Sequence, residues 1–202
     1  IYADPAAIMA ADAIDWPALG AAYRAETAPF AHWRDVIVDK LPQNWLYAGP
    51  IALALPDARI VQVSRAPMDA LFGALKQQFR RDHRWSYDLD DLAAHYANHR
   101  RLMDHWRAVL GERLVQAPYE TLVAQPAREI PRLLAACGLE FESACLEPHL
   151  AEGPVRTLSV TQVRQPITAR GIGAWRKYVA QLEPLRARLE AEGFVDERGD
   201  PP

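Results

Sequence analysis

The sequence has few cysteines and lacks a hydrophobic run long enough to cross a membrane. Its 202 residues include two cysteines, Cys137 and Cys145, too few for a disulfide framework and without CxxC spacing. We expect free thiols in a reducing compartment, and therefore a cytoplasmic protein, with a single Cys137–Cys145 disulfide as the alternative. No apolar run approaches the roughly 20 residues of a membrane span, so no membrane partner is expected.

An excess of charge of either sign is also missing. The 23 Lys and Arg residues nearly balance the 26 Asp and Glu residues, for a net charge of −3, so no nucleic-acid partner is expected. The chain is long enough for one sizeable core, and we expect a single domain over 1–202 with a disordered tail at 196–202. Because the first residue is Ile1 rather than Met, and no signal-peptide pattern follows it, we also expect the sequence to begin inside a longer chain.

The motifs of several common enzyme classes are absent. The sequence contains no GxSxG elbow, no GxGxxG and no GxxxxGK[ST] phosphate loop. His95 and His99 are four residues apart in a helix-patterned segment, but a zincin helix requires Glu directly after the first His, and Tyr96 stands there. We therefore expect no metal.

Strand-like and helix-like patterns alternate along the chain. Short apolar runs predict strands at 36–38, 59–64 and 114–117. Helical spacing predicts helices at 16–33, 43–54, 67–79, 88–110, 120–124, 126–137, 143–151 and 172–192. This order is typical of an α/β domain with a parallel sheet flanked by helices. Three strands are fewer than usual for such a sheet, which fits a missing N-terminal strand.

The stretch 58–79 contains the most informative pattern. An apolar run brings Arg65 to the carboxyl end of a predicted strand, and Pro67 and Asp69 then open a helix. Ligands of open α/β sheets bind at this position, and a guanidinium there can hold a phosphate with forked hydrogen bonds. The alternative is that Arg65 only pairs with Asp69 or caps a neighbouring helix.

Further cationic residues stand where predicted elements meet. Lys40 follows the strand predicted at 36–38, and several cations lie within 164–177. If the strands at 36–38 and 59–64 are neighbours, Lys40 and Arg65 face one crevice and together attract a dianionic ligand. The alternative is a solvated Lys40.

Four segments, taken in order, resemble the sulfotransferase family, in the branch of protein-tyrosine sulfotransferases and bacterial sulfotransferases attached to helical repeats. The segments are VDKLPQNWLYAGPIALALPDARIVQVSRAPMD, SYDLDDLAAHYANHRRLMDHWRAVL, VQAPYETLVAQP and SVTQVRQPITARGIGAWRKY. The resemblance implies a P-loop-NTPase-like fold that takes 3′-phosphoadenylyl sulfate (PAPS) as donor, without a metal. It also implies a small-molecule or protein hydroxyl acceptor, protein tyrosine among them, and a helical-repeat region N-terminal to this domain.

The resemblance assigns residues to the donor and to the transferred group. Those assigned to binding the donor are Arg65, for its 3′-phosphate, and Asp69, Gly73, Tyr119, Gln162, Arg164, Gln165 and Pro166. Lys40 and Ser159 match the positions that stabilise charge on the transferring sulfuryl group. As in phosphoryl transfer, such a reaction depends mainly on positioning and electrostatics.

The sequence also departs from the family. The phosphate loop and the acidic general base that follows it are missing, so we expect these 202 residues alone to bind adenosine 3′,5′-bisphosphate weakly and to transfer no sulfate. Gly73 replaces a frequent Ser, and Ala174 replaces a frequent basic residue for which Arg170, Arg176 or Lys177 would have to compensate. These departures motivate an alternative, a degenerate, non-catalytic sulfotransferase-like binding module. A nucleotide kinase-like enzyme is disfavoured because no Walker lysine is recognisable.

Overall fold

The computed structural model describes residues 11–30, 36–77, 83–151 and 164–202. The chain divides into two compact units. The first consists of Ile1–Ile60 and Leu102–Arg113, and the second of Val61–Arg101 and Leu114–Pro202. Arg65 and the loop at 164–173 therefore belong to the same unit.

The described residues form α-helices, two strands and several short 3-10 turns. The helices are α1 (Trp16–Thr27), α2 (Ala48–Ala54), α3 (Pro67–Lys76), α4 (Leu89–Leu110), α5 (Tyr119–Ala124), α6 (Pro126–Ala136) and α7 (Val179–Ala191). The strands are β1 (Ile60–Ser64) and β2 (Leu114–Pro118), which pair in a small parallel sheet. The 3-10 turns are Ala11–Ala13, Ala28–Phe30, Pro42–Tyr47, Arg84–Tyr87, Gly111–Arg113, Ser143–Leu146, Pro148–Leu150 and Ala174–Tyr178. None of these helices is both long and apolar enough to cross a membrane.

The alternating helix and strand pattern is confirmed, and one predicted strand is wrong. Residues 36–38 pair with no strand in the described part of the chain, and the side chain of Val38 is 84% exposed. An apolar run of three residues forms a strand only where a neighbouring backbone accepts and donates its hydrogen bonds. No such neighbour lies beside 36–38 among the described residues, so the run stays unpaired.

A close approach between α1 and α2 organises the first unit. Asp15 caps α1, because its Oδ1 accepts the backbone N–H of Ala18 at 2.9 Å. One turn later, a Cβ added to Gly20 would lie 1.9 Å from the carbonyl oxygen of Ala54. The two helices can therefore pack at this distance only with glycine at position 20.

Two long side chains bond to carbonyls at the end of α2 and in the 3-10 turn before it, within the same unit. The guanidinium of Arg113 donates at 3.1 Å to the carbonyl of Ala52, which the helix itself leaves unsatisfied. It also donates at 3.0 Å to the carbonyl of Leu55, which accepts the N–H of Ala58 as well. The indole Nε1 of Trp106 donates to the carbonyl of Trp45 at 2.8 Å. These contacts join segments that are about 60 residues apart in sequence.

The core of the second unit brings together α3, α4 and α7. Gln116 Nε2 donates to Gln62 Oε1 at 2.9 Å across the two strands. The buried side chains of this unit's core are Met68, Leu71, Phe72, Leu92, Ala93, Trp175, Leu182, Leu185, Leu189 and Val195. Because Met68 precedes Asp69 and Trp175 follows Gly173 by two residues, this core also fixes the backbone on both sides of the predicted site.

The end of the chain forms a turn that packs under Trp175. Asp196 Oδ1 accepts the N–H of Asp200 at 2.9 Å, and such backbone donors lower the pKa of Asp196. Arg176 donates to Asp200 Oδ1 at 2.5 Å, and a Cβ on Gly199 would lie 2.6 Å from the Trp175 ring. These contacts involve residues 196–200, within the segment that the sequence predicts to be disordered.

A stacked aromatic pair leaves His95 half-buried in the second unit. The rings of Trp85 and His95 are 3.7 Å apart at an interplanar angle of 5°. Burial first, and then the charges of His99 and His83, lower the pKa of His95 from 6.5 to about 4. No group of three potential metal ligands occurs in the described ranges. The stack on Trp85 accounts for the partly buried position of His95 on α4.

We expect the burial of His95 to make stability depend on pH. Between about pH 6.5 and 4 the unfolded chain binds a proton at His95 that the folded chain does not, so its contribution to stability falls as the pH falls. His95→Phe retains an aromatic ring against Trp85 and removes the titration. The free energy of unfolding in urea, measured at pH 7, 5.5 and 4.5, should move in favour of the variant as the pH falls. A constant difference between the two proteins would contradict the assignment.

Candidate anion-binding site

The backbone around Arg65 is fixed by the helix that follows β2. Arg65 comes directly after β1, and α3 begins two residues later at Pro67. Between them, the N–H of Ala66 donates to Glu120 Oε1 in α5 at 2.9 Å. The carboxyl ends of both parallel strands are thus tied together, at the edge where α/β sheets bind ligands.

The guanidinium of Arg65 lies in a partly buried position without a counter-charge. Its Cζ is 5.1 Å from the centroid of the Tyr119 ring, and its Nη2 donates to the carbonyl of Gly171 at 2.5 Å. Its Nε is buried and makes no hydrogen bond with the described residues. No carboxylate described here, Asp69 included, lies within ion-pair distance. Nη1 is not fully buried and also makes no hydrogen bond with the described residues, so the arginine keeps an unused donor that an anion would satisfy.

Two glycines set the space around this guanidinium. A Cβ on Gly171 would lie 2.9 Å from Nη2, so the loop carbonyl reaches Arg65 only because residue 171 has no side chain. A Cβ on Gly73 would lie 3.9 Å from Nη1, which is ordinary van der Waals contact. There is therefore room at position 73, but not at position 171, for a side chain beside Arg65.

Asp69 contacts the loop and not the guanidinium. Its side chain is buried, with 3% exposure, and its Oδ2 accepts the N–H of Gly173 at 2.6 Å. Gly173 has a φ of 69°, a left-handed conformation that glycine adopts without strain. The carboxylate lies in the first turn of α3, where the helix dipole favours negative charge.

The loop before Gly171 forms an open groove. The groove has a volume of about 410 Å³, and its lining residues are Gln165, Pro166, Ile167, Thr168 and Arg170. Arg164 donates to the carbonyl of Ala151, which holds the start of this segment. Two of the residues assigned by resemblance to donor binding, Gln165 and Pro166, therefore line a concave surface that leads in sequence to Gly171.

Four of the predicted donor-binding residues lie around one corner. Arg65 supplies the guanidinium, and Gly73 and Tyr119 lie next to it. Asp69 accepts the Gly173 amide of the loop whose Gly171 carbonyl bonds to Arg65. Gln162 and the catalytic candidate Ser159 lie outside the described residues.

Lys40 lies in the first unit, in an exposed segment without regular secondary structure. The strand expected before it is absent, so the reasoning that joined Lys40 to Arg65 on neighbouring strands loses its premise. The adjacent Asp39 accepts from Tyr23 Oη at 2.8 Å and from Asn44 Nδ2 at 3.4 Å. The pKa of Tyr23 is raised, mainly by burial and secondly by its hydrogen bond to Asp39. The role of Lys40 toward a transferred group stays a prediction.

Two residues of the corner were missed by sequence reasoning. Glu120 and Gly171 act through contacts with residues 54 and 106 positions away, which no local pattern reports. The sequence Gly171-Ile-Gly173 before a helix was the available signal, and it is weak by itself. Of the cations proposed to compensate for Ala174, Arg176 is held by Asp200, whereas Arg170 lines the groove.

Comparison with known proteins points to one family. A model described as the sulfotransferase family matches residues 3–143, more than half of the chain, including Arg65 and Tyr119. An uncharacterized protein of Aquifex aeolicus (strain VF5) is 33% identical over 161 residues. That match covers 78% of this chain and 21% of the relative, so the chain spans about a fifth of the relative's length.

Proposed function

Because the chain belongs to the sulfotransferase family, we propose that it serves the transfer of a sulfuryl group from PAPS to a hydroxyl, with Arg65 binding the 3′-phosphate of the donor. The observation that carries the proposal is the half-buried guanidinium at the carboxyl end of β1, which has unused donors and no described counter-charge. A guanidinium in such a position is stabilised by an anion, and its planar fork matches phosphate oxygens.

The neighbours of Arg65 suit a nucleotide phosphate. The Tyr119 ring faces the guanidinium and restricts its orientation, while the Gly171 carbonyl accepts one of its hydrogen bonds. Nη1 makes no hydrogen bond with the described residues and, unlike Nε, is not fully buried, so it stays available in a site that is partly screened from water. In such a site a charge-assisted hydrogen bond contributes more than at an open surface.

The residues of this chain contribute position and charge to the proposed reaction. The donor supplies an activated sulfuryl group, and transfer to the acceptor hydroxyl leaves adenosine 3′,5′-bisphosphate. Lys40 as a point charge, and Ser159 as a hydrogen-bond donor, are proposed to stabilise negative charge on the transferring group. The proposed acceptor is a hydroxyl of a small molecule or of a protein, protein tyrosine among them.

A second candidate is a binding module that has lost catalysis. Gly73 favours it, because the position beside Arg65 Nη1 offers no side-chain donor to a phosphate. The two candidates differ in turnover and agree on nucleotide binding. Incubation of the full-length protein with radiolabelled donor and a panel of hydroxyl acceptors separates them.

We expect Arg65→Ala to weaken the binding of adenosine 3′,5′-bisphosphate by about 10- to 100-fold, since charge-assisted hydrogen bonds are lost. Isothermal titration calorimetry of the full-length protein measures this effect. Arg128→Ala removes an exposed arginine of the same unit and should leave the affinity unchanged.

Adenosine 5′-monophosphate, which lacks the 3′-phosphate, should bind wild type and Arg65→Ala equally. Equal affinities of those two proteins for the bisphosphate would remove Arg65 from the site.

We expect Gly73→Ser to strengthen bisphosphate binding by up to about tenfold, because a hydroxyl on α3 adds a donor beside Arg65 Nη1 where the structure has room. Gly73→Ala is the matched control, since it adds the Cβ and raises helix propensity without the hydroxyl. The comparison uses the same calorimetric titration. If Ser and Ala bind the bisphosphate equally, the phosphate does not approach position 73.

A further inference from the structure

Asp69 is a buried carboxylate whose presence the core does not explain. Its exposure is 3%, and no described cation lies within ion-pair distance of it. One oxygen accepts the Gly173 amide, whereas Oδ1 is buried and has no partner among the described residues. A buried, partly satisfied charge costs stability compared with an apolar side chain, even at a helix N-terminus that offsets part of the cost. The residue must therefore serve something other than core packing.

Asp69 and Arg65 hold the same short turn with opposite polarity. Arg65 Nη2 donates to the carbonyl of Gly171, and Asp69 Oδ2 accepts from the amide of Gly173 two residues later. Within the turn, the N–H of Ile172 donates to the carbonyl oxygen of Ala169 at 2.9 Å. The turn is thus bonded on one side to the strand end and on the other to the first turn of α3.

Direct contact between Asp69 and a phosphate is excluded by chemistry and by burial. A carboxylate repels an anion, and a side chain with 3% exposure presents almost no surface to a ligand. An effect of Asp69 on an anion must pass through what it touches, which is the loop at 171–173.

We propose that Asp69 is a positioning residue of the anion site: by fixing the turn at 171–173, it places the Gly171 carbonyl that orients the Arg65 guanidinium over Tyr119. This inference rests on the proposed function of Arg65. When the bond to Gly173 is lost, the turn relaxes and its carbonyl moves away from Arg65. The guanidinium then adopts several orientations, and anion binding has to select one of them.

The test is a double-mutant cycle on bisphosphate affinity in the full-length protein, measured by calorimetry. Asp69→Ala should weaken binding of adenosine 3′,5′-bisphosphate about tenfold and leave adenosine 5′-monophosphate binding unchanged. In the Arg65→Ala background, Asp69→Ala should have no further effect, because its influence passes through Arg65. A merely structural loss would act equally in both backgrounds and on both nucleotides.

The conservative variant provides a rescue. Asp69→Asn keeps a carbonyl oxygen that can accept the Gly173 amide, and it should bind the bisphosphate within about threefold of wild type. If Asp69→Ala does not fold, Asp69→Ser takes its place in the cycle with the same expectation, because the serine oxygen is one bond nearer the backbone and does not reach the Gly173 amide.

The outcomes separate the two proposals. If Arg65→Ala does not alter bisphosphate affinity, the proposed function fails. If Arg65→Ala weakens binding but the Asp69 variant has no effect, or its effect adds in full to that of Arg65→Ala, the positioning role of Asp69 is overturned.

Discussion

The hydrogen bond from Arg65 to the Gly171 carbonyl is the interaction on which the candidate site depends. It spans 106 residues of sequence and joins the end of β1 to the loop before α7. It uses one donor of a guanidinium that has no described carboxylate partner, and it holds that group over the Tyr119 ring. A charge fixed in this way is already oriented before an anion arrives, so less entropy is lost on binding.

The core of the second unit supports this interaction from both sides. Met68 is fully buried next to Asp69, and Trp175 is 3% exposed two residues after Gly173. The buried leucines of α7 pack in the same cluster. Changes in this packing are transmitted directly to the loop at 171–173, because interiors are close-packed and relax little. The site is therefore supported by core residues that do not themselves contact a ligand.

Sequence reasoning identified those features that local chemistry encodes. The long helix α4 was predicted to within one residue, because Asp88 caps its start and Gly111, with a φ of 53°, ends it. Arg65 was found because a strand, a cation and a helix start occur together in one short stretch. The strand at 36–38 was wrong because strand formation depends on a partner, which a run of three apolar residues does not reveal.

The contacts of the candidate site were less predictable. Glu120 bonds to Ala66, and Asp69 to Gly173, across 54 and 104 residues, so neither pair produces a local pattern. Family resemblance identified Asp69 as relevant to the donor, but the structure was needed to show that it touches the loop. Partly buried long-range hydrogen bonds of this kind follow from tertiary packing, and single-sequence periodicity contains no information on them.

The most direct measurement of the central claim is a crystal structure of the protein with adenosine 3′,5′-bisphosphate. The account predicts that the 3′-phosphate accepts hydrogen bonds from the Arg65 guanidinium, beside Tyr119 and next to the loop at 171–173. A bound nucleotide whose 3′-phosphate lies away from Arg65, with the guanidinium bonded only to Gly171, would contradict it.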